Sequence, residues 1–227
     1  GVLTAKITVA DVTTSPADYF LSPGALDTTF ITPPQINAGT AGTYAYPSIA
    51  LQPDGKLLVA EVRGIWRLNT DGSLDTTFNA GNATNNGIYT VAVQPDGKIL
   101  IGGGFTTFNN QRANRIARLN SDGSLDTTFD VGTGPNETVS VIVVQPDGKL
   151  LISGYFNSIN GVSVAYQGIT RLNTDGSIDN SFVLNQGLSG LAIALQPDGK
   201  ILGGGSGGIK RGNTDGTIDS TFDAQFT

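Results

Sequence analysis

Residues 117–129 read ARLNSDGSLDTTF, and near copies recur as FLSPGALDTTF (20–30), WRLNTDGSLDTTF (66–78), TRLNTDGSIDNSF (170–182) and KRGNTDGTIDSTF (210–222). A second motif, QPDGK, falls between them, beginning at Gln52, Gln94, Gln145 and Gln196. The aspartates Asp27, Asp75, Asp126, Asp179 and Asp219 are 48, 51, 53 and 40 residues apart, and the glutamines 42, 51 and 51. Periods of about 40 to 50 residues built from short strands belong to propeller blades, whereas helical repeats space their apolar residues three and four apart. The expectation is an all-β propeller of four-stranded antiparallel blades, four complete and one partial at the N-terminus, five-bladed if the ring closes.

Local pattern fills in the unit. Around QPDGK, Ser48, Ala50 and Gln52 alternate with Ile49 and Leu51, and Leu57 to Val62 is largely apolar, as in inner strands buried on both faces. Pro53-Asp54-Gly55 suits a three-residue hairpin loop, with proline presetting the first dihedral and glycine taking the left-handed position. Thr70-Asp71-Gly72 makes the same kind of loop. Counting outward from it pairs Asn69 with Ser73, Leu68 with Leu74 and Arg67 with Asp75. The same count pairs Arg118 with Asp126, Arg171 with Asp179 and Arg211 with Asp219, placing opposite charges at one equivalent site in four units. In the first copy the shorter turn sets Phe20 opposite Asp27, so no such pair forms there.

Residues 1–23 hold a strand-like run from Val2 to Val12 and a short strand at Asp18 to Leu21. They read as a partial blade, closing the ring or pairing with another subunit; residues 24–227 read as the repeat propeller. Open edges that pair head to tail between chains generate rings or filaments, so self-assembly is one expectation.

Composition narrows the function. The 227 residues include 31 Gly and 14% charged residues, the profile of a turn-rich β-protein. A net charge of −6 argues against nucleic acid or an anionic membrane surface as partner. No run of 18 apolar residues exists, so no membrane-inserted helix is expected. The chain begins at Gly1 and contains no Met, which reads as a processed product or a fragment. Lack of Cys and His removes disulfides, catalytic triads, imidazole bases and zinc sites.

The segment QPDGKILIGGGFTTFNNQRANRIARLNSDGSLDTTF, residues 94–129, resembles the delta-60 repeat. The resemblance extends over roughly residues 24–222. It implies a β-propeller-like fold in large bacterial and phage-associated surface proteins, often beside Calx-β domains, and brings no catalytic residues.

Candidate sites follow from what the repeat does not explain. Two long loops, 105–114 and 156–168, mix aromatic rings with amides, and ligand contacts are expected at Phe105, Phe108, Asn109, Arg112, Tyr155, Phe156, Asn160 and Tyr166. Asn69, Asp71 and Asp75 are spaced like part of a calcium loop, but Arg67 stands where such a loop has its first aspartate; no cofactor is expected, with calcium the alternative. Asn82 and Asn136 each open a glycosylation sequon. Of nineteen acidic residues, thirteen belong to the repeated turns and strands; of the remaining six, Asp11, Asp18, Glu61, Asp130, Glu137 and Asp223, the two glutamates are the acids of a glycosidase reading. The leading expectation is a non-enzymatic structural or adhesive module of an extracellular surface, fibre or virion-associated assembly, with protein subunits or glycans as partners. A carbohydrate-binding propeller ranks second and a glycosidase third.

Overall fold

The computed structural model describes residues 30, 48–61, 64–81, 84–183, 187–205 and 208–222. Residues 1–23, expected to form a partial blade that closes the ring or pairs with another subunit, and Asn82 and Ala83 of the first sequon lie outside the described residues. Four three-stranded antiparallel sheets follow one another along the chain. The first is β1 (Ser48–Leu51), β2 (Leu57–Glu61) and β3 (Gly64–Leu68). The second unit runs β4 (Ile88–Val93), β5 (Ile99–Gly103), a small hairpin of β6 (Thr107–Phe108) and β7 (Gln111–Arg112), then β8 (Ile116–Leu119). The third repeats that plan with β9 (Val139–Val144), β10 (Leu150–Gly154), β11 (Ser158–Ile159), β12 (Val162–Ser163) and β13 (Thr170–Leu172). The fourth is β14 (Ala192–Leu195), β15 (Ile201–Gly205) and β16 (Gly208–Gly212). The innermost strands of successive units lie side by side, β1 by β4, β4 by β9 and β9 by β14.

The turns form as their residues dictate. Gln52 N–H donates to the Lys56 carbonyl at 2.8 Å and Gly55 N–H to the Gln52 carbonyl at 2.9 Å, with Gly55 at φ 82°. That left-handed conformation suits glycine, and the same hairpin recurs at Gly97, Gly148 and Gly199. The outer turn has the counted register: Asn69 N–H donates to the Ser73 carbonyl, Leu68 bridges Leu74, and Asp75 N–H donates to the Arg67 carbonyl.

The fourth strand departs from expectation. It is reduced to a single bridge in each of the four described units, at Leu68–Leu74, Leu119–Leu125, Leu172–Ile178 and Gly212–Ile218. The cause is the aspartate that follows. Asp75 Oδ1 accepts both the amide and the hydroxyl of Thr77, at 2.9 and 2.6 Å, and Phe78 N–H donates to the Asp75 carbonyl. This local turn competes with the ladder and diverts the chain toward the next blade.

The core lies between blades. Leu58, Ala60 and Ile65 of the first unit pack with Phe78, Val91, Ile99 and Phe108 leading into and across the second. Leu100 and Ile116 meet Val139, Ile152 and Phe156, and Leu151 and Ile169 meet Leu188 and Ile201. On the opposite face of the first blade Phe30 packs with Val59, Trp66 and Leu74.

Candidate functional site

The repeated aspartate is the hub of a charge cluster at the turn end of each blade. Asp75 Oδ2 accepts from Arg67 Nε at 2.7 Å, the pairing expected from register, and also from Lys56 Nζ at 2.7 Å. Arg67 then reaches across the blade boundary, donating through Nη1 to the Ser121 carbonyl at 2.6 Å, while its guanidinium lies 4.9 Å above the Phe78 ring. Arg118 repeats this with Asp126, Lys98, the Thr174 carbonyl and Phe129, and Arg171 with Asp179, Lys149, the Thr214 carbonyl and Phe182. A backbone bond runs beside each crossing: Asn79, Asp130 and Val183 amides donate to the Asp122, Asp175 and Asp215 carbonyls. The approach is close, since a Cβ on Gly123 would lie 2.9 Å from the Ala80 nitrogen. In the fourth unit Arg211 pairs with Asp219 and covers Phe222, but among the described residues no carbonyl of a following turn meets it.

These bonds tune the carboxylates. The Lys56 ammonium, then the Thr77 hydroxyl, hold the Asp75 carboxyl well below the usual range. Burial pushes Asp126 and Asp179 up, but donors from Lys98 and Thr128, and from Lys149 and Ser181, outweigh it and leave both strongly lowered. Asp219 is lowered by Lys200 and Thr221. The lysine was not anticipated as a partner, although its signal is present: a lysine ends every QPDGK motif, at 56, 98, 149 and 200.

The residues proposed for calcium are committed elsewhere. Asp71 Oδ1 accepts the Ser73 amide and hydroxyl, Asn69 donates to the Ser73 hydroxyl, and Asp75 faces two cations. Among the described residues no three acidic side chains gather as a metal site.

At the other end of the blades stand the loops between second and third strands and the connections entering each blade. Three of the expected ligand contacts are core residues: Phe105, Phe108 and Phe156 are completely buried. The loops fold as hairpins over the core, so these rings pin them down. Asn109 and Asn160 hold the entering connections: Asn109 Nδ2 donates to the Ala80 carbonyl, and Asn160 Oδ1 accepts the Gly134 amide and the Thr133 hydroxyl. Both take positive φ, 48° and 51°. Arg112 is exposed beside a cleft of about 410 Å³ that also touches Asn114, Ile116 and Asp130. Tyr155 and Tyr166 remain as exposed rings, 46% and 59% accessible, with centroids 6.3 Å apart and planes inclined by 52°. Glu61 ends β2 opposite Gly64, its carboxyl pushed up by burial, and Glu137 is exposed on the connection into the third blade.

Successive antiparallel blades clasped by one repeated cluster define a protein of the β-propeller class. More than half of the chain is matched by the DUF5122 β-propeller, a domain of unknown function, at residues 52–78, 94–129, 145–182 and 196–222, and the chain belongs to that family. The match does not single out the delta-60 repeat. No curated protein matches the chain by sequence.

Solved propellers resemble it in fold. Virginiamycin B lyase from Staphylococcus aureus is 20% identical over 76% of this chain and 54% of its own, with a TM-score of 0.50. The extracellular domain of a one-component system from B. thetaiotaomicron is 16% identical over 75% and 23%, with a TM-score of 0.51. A gluconolactonase from Xanthomonas campestris is 20% identical over 75% and 59%, with a TM-score of 0.49. The chain thus spans only part of each of these propellers. The expectation that it is not an enzyme is corrected by this likeness: the fold is shared with a lyase, and a non-catalytic role does not follow from propeller blades without His or Cys.

Proposed function

We propose that this chain is part of an extracellular propeller module that binds surface partners, glycans or protein subunits, through the loop end of its blades and so anchors a surface or fibre assembly. The observation that carries the reading is how the residues divide. Repeated charges at the turn end are used in joining blade to blade, while features that break the repeat, among them Arg112, Glu137, Tyr155 and Tyr166, are exposed in the loops and connections of the opposite end. The net charge of −6 and the extracellular setting of one structural neighbour support it. Loops on a rigid scaffold are where binding residues concentrate.

The test is binding of the labelled, purified chain to an array of surface glycans and to intact bacterial cells. Retention above that of the heat-unfolded chain is expected. No retention on either surface overturns the reading.

A further inference from the structure

We propose that Tyr155 and Tyr166 form a subsite for the rings of a neutral oligosaccharide, an inference that rests on the binding reading above and gives it a ligand class. The first observation is that both tyrosines stand where the repeat is broken. Counting six residues from the QPDGK lysine gives Tyr155 in the third unit, against Val62, Gly104 and Ser206 in the others. Tyr166 lies on an insertion: Ala113 N–H donates to the Thr106 carbonyl and Val164 N–H to the Asn157 carbonyl at equivalent points, but two residues separate Ala113 from Ile116 and four separate Val164 from Ile169. The fold is built without either ring in the second unit.

The second observation is rigidity. Tyr155 N–H donates to the Thr138 carbonyl at 2.8 Å. The inserted turn closes through Gly168 N–H to the Ala165 carbonyl at 2.7 Å, with Gln167 at φ 58°. The Gln167 carbonyl accepts the Gly190 amide at 2.9 Å, and the buried Ser153 hydroxyl donates to the Gly190 carbonyl at 2.7 Å, tying the turn to β10. Both rings are therefore presented by anchored backbone, which lowers the ordering cost of binding.

The third is the surroundings. The completely buried rings of Phe105, Phe108 and Phe156 show how these loops treat aromatic residues that serve the core. Tyr155 and Tyr166 instead leave about half of each side chain in water, in an open tilted pair beside exposed Asn136, Glu137 and Asn157. On this loop Val162 is the other large apolar side chain exposed. A protein interface calls for a contiguous patch of several hundred Å². Two inclined rings in a polar setting fit one or two sugar rings, whose apolar C–H faces stack on the tyrosines while amides and phenol hydroxyls bond the sugar hydroxyls.

The experiment is calorimetric titration of the whole chain with cellohexaose, xylohexaose, mannohexaose and maltohexaose, repeated with Tyr155→Ala, Tyr166→Ala and both tyrosine-to-phenylalanine variants. Because both residues are exposed, the alanine variants should melt with the parent chain. Saturable binding of at least one hexaose is expected, weakened about tenfold or more by either alanine, which corresponds to about 1.4 kcal/mol, and largely kept by phenylalanine. Hexaose binding unchanged in both alanine variants overturns the proposal and leaves the wider binding reading standing. Binding to cells without binding to any hexaose, but lost in the alanine variants, overturns the glycan assignment and makes the pair a protein contact. Binding to neither cells nor glycans removes both.

Discussion

Replacing Arg118 by alanine removes more than one bond. Its Nε donates to Asp126 at 2.6 Å, its Nη1 to the Thr174 carbonyl of the next blade at 2.6 Å, its Nη2 to Thr128 at 3.2 Å, and its plane covers Phe129 at 4.9 Å. Asp126 stays 5% exposed with Lys98 as its remaining cation. Removing one partner from a buried ion pair costs about 3–5 kcal/mol. Two charge-assisted bonds at about 1.5–3 kcal/mol each arrive at the same range. Arg211 is the internal control: its side chain is 21% exposed, against 9% for Arg118, and among the described residues it clasps no following blade. Urea unfolding followed by far-ultraviolet circular dichroism and by fluorescence of Trp66, the single tryptophan, should show Arg118→Ala shifting the midpoint at least twice as far as Arg211→Ala. Arg118→Lys should recover less than half of the loss, because an ammonium cannot serve Asp126 and the neighbouring carbonyl in one plane. Equal losses at Arg118 and Arg211, or a midpoint unmoved by Arg118→Ala, would refute the clasp.

Acid should weaken the fold in a defined window. The four hub carboxyls, Asp75, Asp126, Asp179 and Asp219, are lowered when folded, so their contribution is complete above the unfolded value near 3.9 and is lost as pH falls below it; melting temperatures should be flat from pH 6 to 8 and drop below about pH 4. Phe108→Ala should behave as a core deletion, costing about 3–5 kcal/mol in the same urea assay, because the ring is completely buried. Calcium followed by chelator should leave the melting temperature unchanged, since Asp71 and Asp75 are already engaged by Ser73, Arg67 and Lys56.

The repeat made the scaffold readable to the level of individual bonds. Once Thr70-Asp71-Gly72 is taken as a turn, alternation of strand faces leaves Arg67 one place to go, opposite Asp75, and the structure has it there. What counting did not deliver were contacts beyond the turn, whether across the same blade or between blades. Lys56 lies nineteen residues from Asp75, and the carbonyl that Arg67 grips lies 54 residues away; both depend on how strands and blades stack, which periodicity alone does not encode. The fourth strand was overread for a related reason. SLDTTF alternates like a strand, but the aspartate side chain takes the backbone donors that a ladder needs. Among the loop residues, composition did not separate Phe108 from Tyr166, because both are aromatic neighbours of amides. Burial separates them: one ring fills the gap between the first two blades and the other stands in solvent.

That separation bears on where change can be tolerated in a protein of this construction. The clasp uses the same residue types at every described boundary, so altering one member disturbs a charge, a backbone carbonyl and an aromatic stack together. The loop end repeats no such clasp: its bonds toward the next blade, such as Asn114 Nδ2 to the Gly132 carbonyl and Arg115 Nη2 to the Asn136 carbonyl, belong to the second unit and have no arginine–aspartate hub. The third unit carries an inserted turn and an extra tyrosine, yet β9, β10 and β13 keep the order and pairing of β4, β5 and β8. Binding chemistry can therefore be varied blade by blade at the loop end without renegotiating the joints, because the two ends share strands but not the clasp's side chains. On this argument, inserting Tyr-Gln between Asn114 and Arg115 of the second unit, which lengthens that loop to the size of the third unit's and leaves Asn114 and Arg115 in the chain, should lower the unfolding free energy in urea by no more than about 1 kcal/mol. A loss as large as that of Arg118→Ala would show that the two ends are coupled after all.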